Sequence, residues 1–393
     1  MAANTIIQQK NVTGAEQNRR WQAVRKMMQD NKLDFLLFQN HHSLFHGYLK
    51  WFTGMSCPDA YPFTVIFPRE DEMTVITHGP RPIPGVPSPQ ESLPGIKKII
   101  SFPMILSMSY SSDFDAEIVV RELSLYKNCR IGIVGMSFMP AFFYKYVVEH
   151  LNTVQFEDIT DSIDEIKAIK SDEEIELINE TCRLEDALWD YALTLIKPGV
   201  TASYVYRNLV QKNLELGAEY TNIMVGAAPA GTAARIASPD RVIQEGDQFV
   251  ALIETDGPGD FWGELSRTAC LGKVSPELEY QFGLAVEAQK LTVNLLKPGT
   301  PAGAFWDANN AFLKSKGFPE EGRIYAHAQG YDMVERPALD RLEKMKVEAN
   351  MVVAVHPEVK SAKALGWICD DFLVTKKGPA VRLHRTPQKI FVL

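Results

Sequence analysis

The sequence predicts an α/β domain over residues 1–160 and an α+β domain over 161–393 with an internal pseudo-two-fold duplication. Three observations predict it. Short apolar strands alternate with amphipathic helices up to about residue 160. A capping box, Ser171 with Glu174 three residues on, then opens a long helix in a block that begins near Asp161. Finally, LIKPGVTASYVYRNLVQKNLELG (195–217) and LLKPGTPAGAFWDANNAFLKSKG (295–317) align without a gap at an offset of 100 residues.

The elements follow in order. From Glu16 to Asn31, Trp21, Val24, Met27 and Met28 fall at helical spacing. LDFLLF (33–38), FTVIF (63–67), MTVIT (73–77) and IGIV (131–134) read as strands. GPRPIPGVPSPQESLPG (79–95) is too rich in proline and glycine for regular structure. The capping-box helix runs to about Leu195. Each repeat copy then stops a helix at Lys-Pro-Gly, turns, starts a second helix and ends at glycine. A strand-like run and an apolar strand follow in each copy, DQFVALIE (247–254) and NMVVAVHP (350–357). Equivalent strands of the copies then lie side by side, with a cleft between the halves.

Composition narrows the function classes. A hydrophobic content of 46% is enough for a packed core. A net charge of -8, without a Lys/Arg run, argues against nucleic acid as partner. The leading MAANTIIQQKNVTG lacks an apolar signal region, and no apolar stretch approaches the ~20 residues that span a bilayer, so no membrane is expected. Cys57, Cys129, Cys182, Cys270 and Cys369 are scattered and show no CxxC spacing, which reads as reduced thiols in a cytoplasm.

Chemistry-bearing residues gather near the ends of the expected strands. LIETDGPGDFWGELSRTACLG (252–272) carries Glu254, Asp256, Asp260 and Glu264; antiparallel pairing of 248–254 with 262–270 lets Glu254 and Glu264 face one cleft. YAHAQGYDMVERPALD (325–340) carries His327, Tyr331, Asp332 and Glu335, followed by His356, Glu358, Cys369, Asp370 and Asp371. Imidazoles and carboxylates so placed suit metal binding or general acid–base work.

The repeated unit, the capping-box helix and the rhythm HxxGxxxxExP from His327 to Pro337 resemble the creatinase/aminopeptidase P/methionine aminopeptidase superfamily and its pita-bread fold. The resemblance implies a creatinase-type N-terminal domain, a pita-bread catalytic domain and a homodimer. In the peptidases of that superfamily two Asp, one His and two Glu hold two metal ions. By position, the first Asp falls at Leu252 and the second at Glu264. The metal histidine is matched by His327, the first Glu by His356 and the last Glu by Cys369, while a substrate-side histidine becomes Val334. A further upstream histidine falls at Arg235. His41, His42, His46 and Trp51 are candidates for substrate contact, against a plainer surface or packing role.

Two readings of the altered set stay open here. In one, a single divalent metal, Zn or Fe(II), sits on Glu264, His327 and His356, completed by Cys369 or Glu254. In the other, as in creatinase, no metal is bound and side chains transfer the protons. The expected function is a hydrolase or lyase cleaving a C–N or C–S bond in a carboxylate-bearing small molecule. Glu264, His327, Glu335 and His356 would be catalytic; Arg235, Tyr331 and Asp332 would bind the substrate. The alternatives are an Xaa-Pro metallopeptidase and a non-catalytic binding protein on a degenerate enzyme fold.

Overall fold

The computed structural model describes residues 11–40, 44–45, 47–56, 61–79, 93–102, 114–218, 220–234 and 240–393. Its contacts divide the chain into two compact units, Val12–Lys167 and Ala168–Leu393, with Asn11 counted with the latter.

The first unit is built on one six-stranded sheet. Helix α1 (Gly14–Asp30) is opened by the Thr13 side chain, which accepts from the Glu16 amide. Strand β1 (Phe35–Asn40), α2 (Tyr48–Thr53), β2 (Phe63–Pro68), β3 (Met73–His78) and β4 (Ile96–Phe102) follow. Then come α3 (Phe114–Leu123), β5 (Arg130–Ile133), α4 (Ala141–His150), β6 (Gln155–Asp158) and α5 (Thr160–Ala168). The strand order is β4-β3-β2-β1-β5-β6. The β1–β5, β5–β6 and β3–β4 pairs are parallel, and β1–β2 and β2–β3 are antiparallel. Phe35, Leu37, Ile76, Val119, Ile131 and Phe143 share its core. Most of 79–95 lies outside the described residues.

The second unit begins with α6 (Asp172–Leu195). Ser171 accepts from the Glu174 amide while the Glu174 carboxylate accepts from the Ser171 amide, so two orphan helix donors are satisfied at once. After α7 (Ala202–Glu215) come β7 (Met224–Pro229), β8 (Asp247–Asp256) and β9 (Trp262–Cys270). Next are α8 (Pro276–Leu295), α9 (Ala302–Ser315), β10 (Ala326–Ala328), β11 (Glu335–Ala338) and β12 (Val352–Val355). The chain ends with β13 (Glu358–Lys360), β14 (Leu365–Trp367), β15 (Asp370–Leu373), β16 (Val381–Arg382) and β17 (Ile390–Val392).

These strands form two main sheets, β17-β9-β8-β7 and β11-β10-β12-β15-β16, and the hairpin β13–β14. Helices α6 and α7 cover the first sheet: Leu188, Trp189, Val205 and Leu209 pack with Phe249, Ala251, Ile253 and Leu265. The second sheet is covered by α9 residue Phe305 and neighbours that pack on Val353, Val355 and Phe372. Side chains alternate across a strand. The even positions of β8 therefore look away from the helices, and Val250 and Leu252 meet Ala354, Leu365, Trp367 and Cys369. An isolated antiparallel bridge between Ser266 and Cys369 ties the sheets together at this face. Buried Arg267 strengthens the tie, donating to Asp370 Oδ1 at 2.5 Å and to the carbonyls of Cys369, Thr386 and Pro387.

Candidate active site

The β8–β9 register places Glu254 directly opposite Glu264. Residues so paired share a face. On the second sheet, His327 stands opposite Ala354 at the same inner face, and His356 follows β12 two residues beyond Ala354. Three donors converge as a result: one ligand atom each from Glu264, His327 and His356, all within 4.8 Å of one another and all buried. The imidazole rings meet edge to face with centroids 5.1 Å apart.

Hydrogen bonding sets the protonation of this trio. His327 Nδ1 lies 3.0 Å from the Ala328 carbonyl oxygen, which can only accept, so Nδ1 carries a proton. In the neutral ring Nε2 is then bare, and it faces Glu264 Oε2 at 3.3 Å. Burial opposes ionisation of Glu264, yet the charge of a protonated His356, a bond from His327 when Nε2 is protonated, and the Cys369 thiol hold its carboxyl down at about 2. Burial pushes His356 down to about 4 against the pull of Glu264, so at neutral pH its ring is uncharged. Its Nε2 is buried and has no hydrogen-bond partner. An ionised carboxylate and two neutral imidazoles, each offering one atom within 4.8 Å of the others, fit one divalent cation.

Other expected site residues do different work. Glu254 and Cys369, read from the sequence as completing ligands, stay outside the three-donor set. The Glu254 carboxylate accepts from Asn222 at 2.7 Å, and burial with the Glu264 charge raises its pKa well above the usual range. Cys369 donates its thiol to Glu264, and burial raises that thiol far above its ordinary value. Glu335, expected as a second acid–base group, is tied to Lys170 Nζ at 2.7 Å, with both side chains buried. Its other oxygen accepts from the amides of Tyr331 and Asp332. A Cβ on Gly330 would come within 2.5 Å of that carboxylate, which explains a glycine there. Glu335 thus fastens the 330–332 turn to Lys170.

Tyr331 is buried with its ring 4.1 Å from that of Phe261, and Asp332 is buried beside it. Arg235 lies outside the described residues, as do His41, His42 and His46. Trp51 is a core residue of the first unit, against Phe52 and under the Arg20 guanidinium, so packing accounts for it. At the position where the resemblance set a metal Asp, Leu252 fills the space with hydrocarbon; a second cation has no carboxylate there. Sequence reasoning missed a second group, Cys182, Glu185, Asp371 and His384, which converge within 4.8 Å. The only local signal was the i, i+3 spacing of Cys182 and Glu185 on α6.

The sequence pattern of metallopeptidase family M24 matches residues 176–381, more than half of the chain. The chain belongs to metallopeptidase family M24. Relatives agree with this placement. An uncharacterized peptidase of Bacillus subtilis is 25% identical over 242 residues, spanning 60% of this M24 chain and 67% of the relative. A Xaa-Pro dipeptidase of Pyrococcus furiosus is 25% identical over 254 residues, 62% and 70% of the two chains. Among solved structures, the dipeptidase PepE of Mycobacterium ulcerans superposes with a TM-score of 0.77 at 18% identity, covering 97% and 99%. A Xaa-Pro dipeptidase of Bacillus anthracis gives 0.76 at 20%, covering 96% and 100%.

Membership in M24 places the chain in the pita-bread superfamily that the histidine–glutamate rhythm resembled. It also makes the chain an enzyme of a hydrolase family. The expectation of a hydrolase or lyase for a non-peptide molecule is overturned: the named relatives and structural neighbours are peptidases and dipeptidases. Altered ligands prompted that expectation, but the kept His327 and the substituted Glu264 and His356 still meet at one point. Among the described residues, no helix is long and apolar enough to cross a membrane.

Proposed function

We propose that this M24 protein is a metallopeptidase that hydrolyses short peptides with proline after the scissile bond, using one divalent cation. The convergence of Glu264, His327 and His356 on one buried point carries the reading, and the named relatives support the substrate class. Those three residues would hold the cation, which supplies Lewis-acid polarisation of a carbonyl and a more acidic water. The protein's own residues do the rest. The Ala328 carbonyl keeps the proton of His327 on Nδ1 and so aims Nε2 at the centre. Glu254 lies opposite Glu264, and burial with the Glu264 charge shifts it toward the protonated form, the form that donates a proton. Lys170 and Glu335 hold the turn that carries Tyr331 and Asp332.

The deciding experiment is a panel of Xaa-Pro dipeptides and tripeptides. Chelator-treated enzyme is reloaded separately with Mn²⁺, Co²⁺, Zn²⁺ or Fe²⁺. Cleavage restored by one of these ions, and lost in His327→Ala, supports the proposal. No cleavage under any ion overturns it.

We also infer that the unit from α6 to β8 and that from α8 to β12 share an origin. In support, α7 and α9 begin at Ala202 and Ala302, and the preceding turns are closed alike, Gly199 N to Ile243 O and Gly299 N to Val347 O. Cys129, Cys182, Cys270 and Cys369 are all free thiols, which supports a reducing, cytoplasmic setting.

A further inference from the structure

We propose that Cys182, Glu185 and Asp371 form a second divalent-cation site of zinc type, behind the first, with His384 holding Glu185 in place. It goes beyond the peptidase reading and does not depend on it. None of these residues occupies a ligand position carried over from the M24 peptidases.

The geometry comes from three elements. Cys182 and Glu185 lie one turn apart on α6 and point at the same face of β9 and β15. Asp371 is on β15, and His384 follows β16. The Cys182 thiol sits 3.5 Å from Asp371 Oδ2, and His384 Nε2 sits 2.7 Å from Glu185 Oε2. All four side chains are buried, and one donor atom of each lies within 4.8 Å of the others. That is near the 3.3–3.8 Å spread of ligands around a tetrahedral ion with bonds of about 2.0–2.3 Å, so a small contraction brings the sulfur and the two carboxylates to ligand distance and leaves a fourth position open.

Electrostatics calls for a cation. Asp371 Oδ2 accepts from the Cys182 thiol and the Glu264 amide, and Glu185 pairs with His384; among the described residues no guanidinium or ammonium group forms an ion pair with either carboxylate. Glu185 Oε1 and Asp371 Oδ1 are buried without any partner. Two buried carboxylates left so are costly unless protons or a metal ion neutralise them. Room for the second is provided at Gly263, where a Cβ would stand 2.7 Å from Glu185 Oε2 and 3.2 Å from Asp371 Oδ2. The sulfur donor selects a zinc-type ion over Mg²⁺ or Ca²⁺.

The role of His384 follows from its tautomer. Its Nδ1 accepts from the Asp371 amide at 3.2 Å, so the neutral ring carries its proton on Nε2 and donates it to Glu185. The ring is a positioning residue, and the direct ligands are one sulfur and two carboxylates. Loading displaces the Cys182 thiol proton and any carboxyl protons to solvent.

Cobalt titration of the chelator-treated full chain tests the site. Two equivalents of Co²⁺ should bind, one with a near-ultraviolet thiolate-to-cobalt charge-transfer band. Cys182→Ser and Glu185→Gln should each abolish the band and remove one equivalent, whereas Cys369→Ser and His327→Ala should keep the band. His384→Gln should weaken the band-forming ion by about 10–100-fold. Native mass spectrometry of the unmutated chain counts the ions independently of any variant's folding. A band that survives Cys182→Ser, or a single equivalent lost only in His327→Ala, overturns the second site. A Cys182-dependent band in the unmutated chain, beside no cleavage of any Xaa-Pro peptide under any ion, would instead sink only the proposed function.

Discussion

Glu264 Oε2 and His327 Nε2 face each other at 3.3 Å while the opposite nitrogen of the same ring is committed to the Ala328 carbonyl. Two bare acceptors repel at that distance, so the line between them holds a proton or a cation. His356, with its own nitrogen unpartnered beside them, turns the pair into a three-donor centre.

His327→Ala and Glu264→Gln should therefore each lower kcat/KM on an Xaa-Pro peptide by at least about 10²-fold, the scale of losing a positioned catalytic group. Both variants should lose the activating ion, seen as a weaker calorimetric binding isotherm, and keep the far-ultraviolet circular dichroism of the parent. Near-parental turnover in both would remove these residues from the site.

Lys170 and Glu335 give a second test, because the two roles considered for Glu335 predict different patterns. As a fastening, Lys170→Met strands a buried carboxylate and destabilises the chain by about 3–5 kcal/mol in urea unfolding. Lys170→Met/Glu335→Met should recover much of that loss. Activity should fall alike in Lys170→Met and Glu335→Gln. Loss confined to Glu335→Gln would restore it as an acid–base group.

Arg267 joins the two sheets through Asp370 and three backbone carbonyls, all buried. Arg267→Met should cost about 3 kcal/mol by taking from buried Asp370 its closest cation, leaving it Arg382 at 3.6 Å and the amides of Gln289 and Gln388. Arg267→Lys should rescue little, since an ammonium cannot reproduce the planar fork that meets five acceptors, the Ser266 carbonyl among them. An unfolding midpoint unchanged in Arg267→Met would contradict the tie.

Burial pushes both His356 and His384 down from 6.5 to about 4. The sign follows from linkage. As pH falls from about 6.5 to about 4, the unfolded chain takes up protons that the folded chain refuses, so each ring lowers stability across that window and no further below it. The full loss is roughly 3 kcal/mol per ring. Glu185 and Asp371, raised by burial, act in the opposite sense and lose stability as pH rises. The clean readouts are thus the NMR midpoints of the two rings in chelator-treated protein and the stability difference between parent and His384→Gln. Midpoints near 6.5 would show that the rings are hydrated rather than buried.

Local chemistry made much of the second unit legible. The Ser171–Glu174 capping box opens α6 where expected, and the Lys-Pro-Gly stops end α6 and α8 at Leu195 and Leu295. The pairing of 248–254 with 262–270 appears in the register that sets Glu254 against Glu264. Glu264, His327 and His356 could be singled out because each sits in a short pattern around its own strand.

Residue type, by contrast, did not reveal duty. Glu335 and Glu254 are both glutamates near the centre, yet Lys170 claims one and Asn222 the other. Leu252 could be seen to lack a carboxylate, but only its packing on Ala354 and Trp367 shows that the vacancy is filled. The non-peptide expectation arose from counting substituted ligands one at a time.

The chain alone determined its helix ends, strand alternation and three of its buried donors, because caps, turns and two-residue periodicity act between neighbours in sequence. The partners of Glu335, and the meeting of Cys182 with Asp371 and of Glu185 with His384, were decided only by tertiary structure. Those contacts join residues 165, 189 and 199 positions apart. Nothing in the local pattern records such neighbours; the packing of α6 against two sheets brings them together, and their charges and protons are set only there.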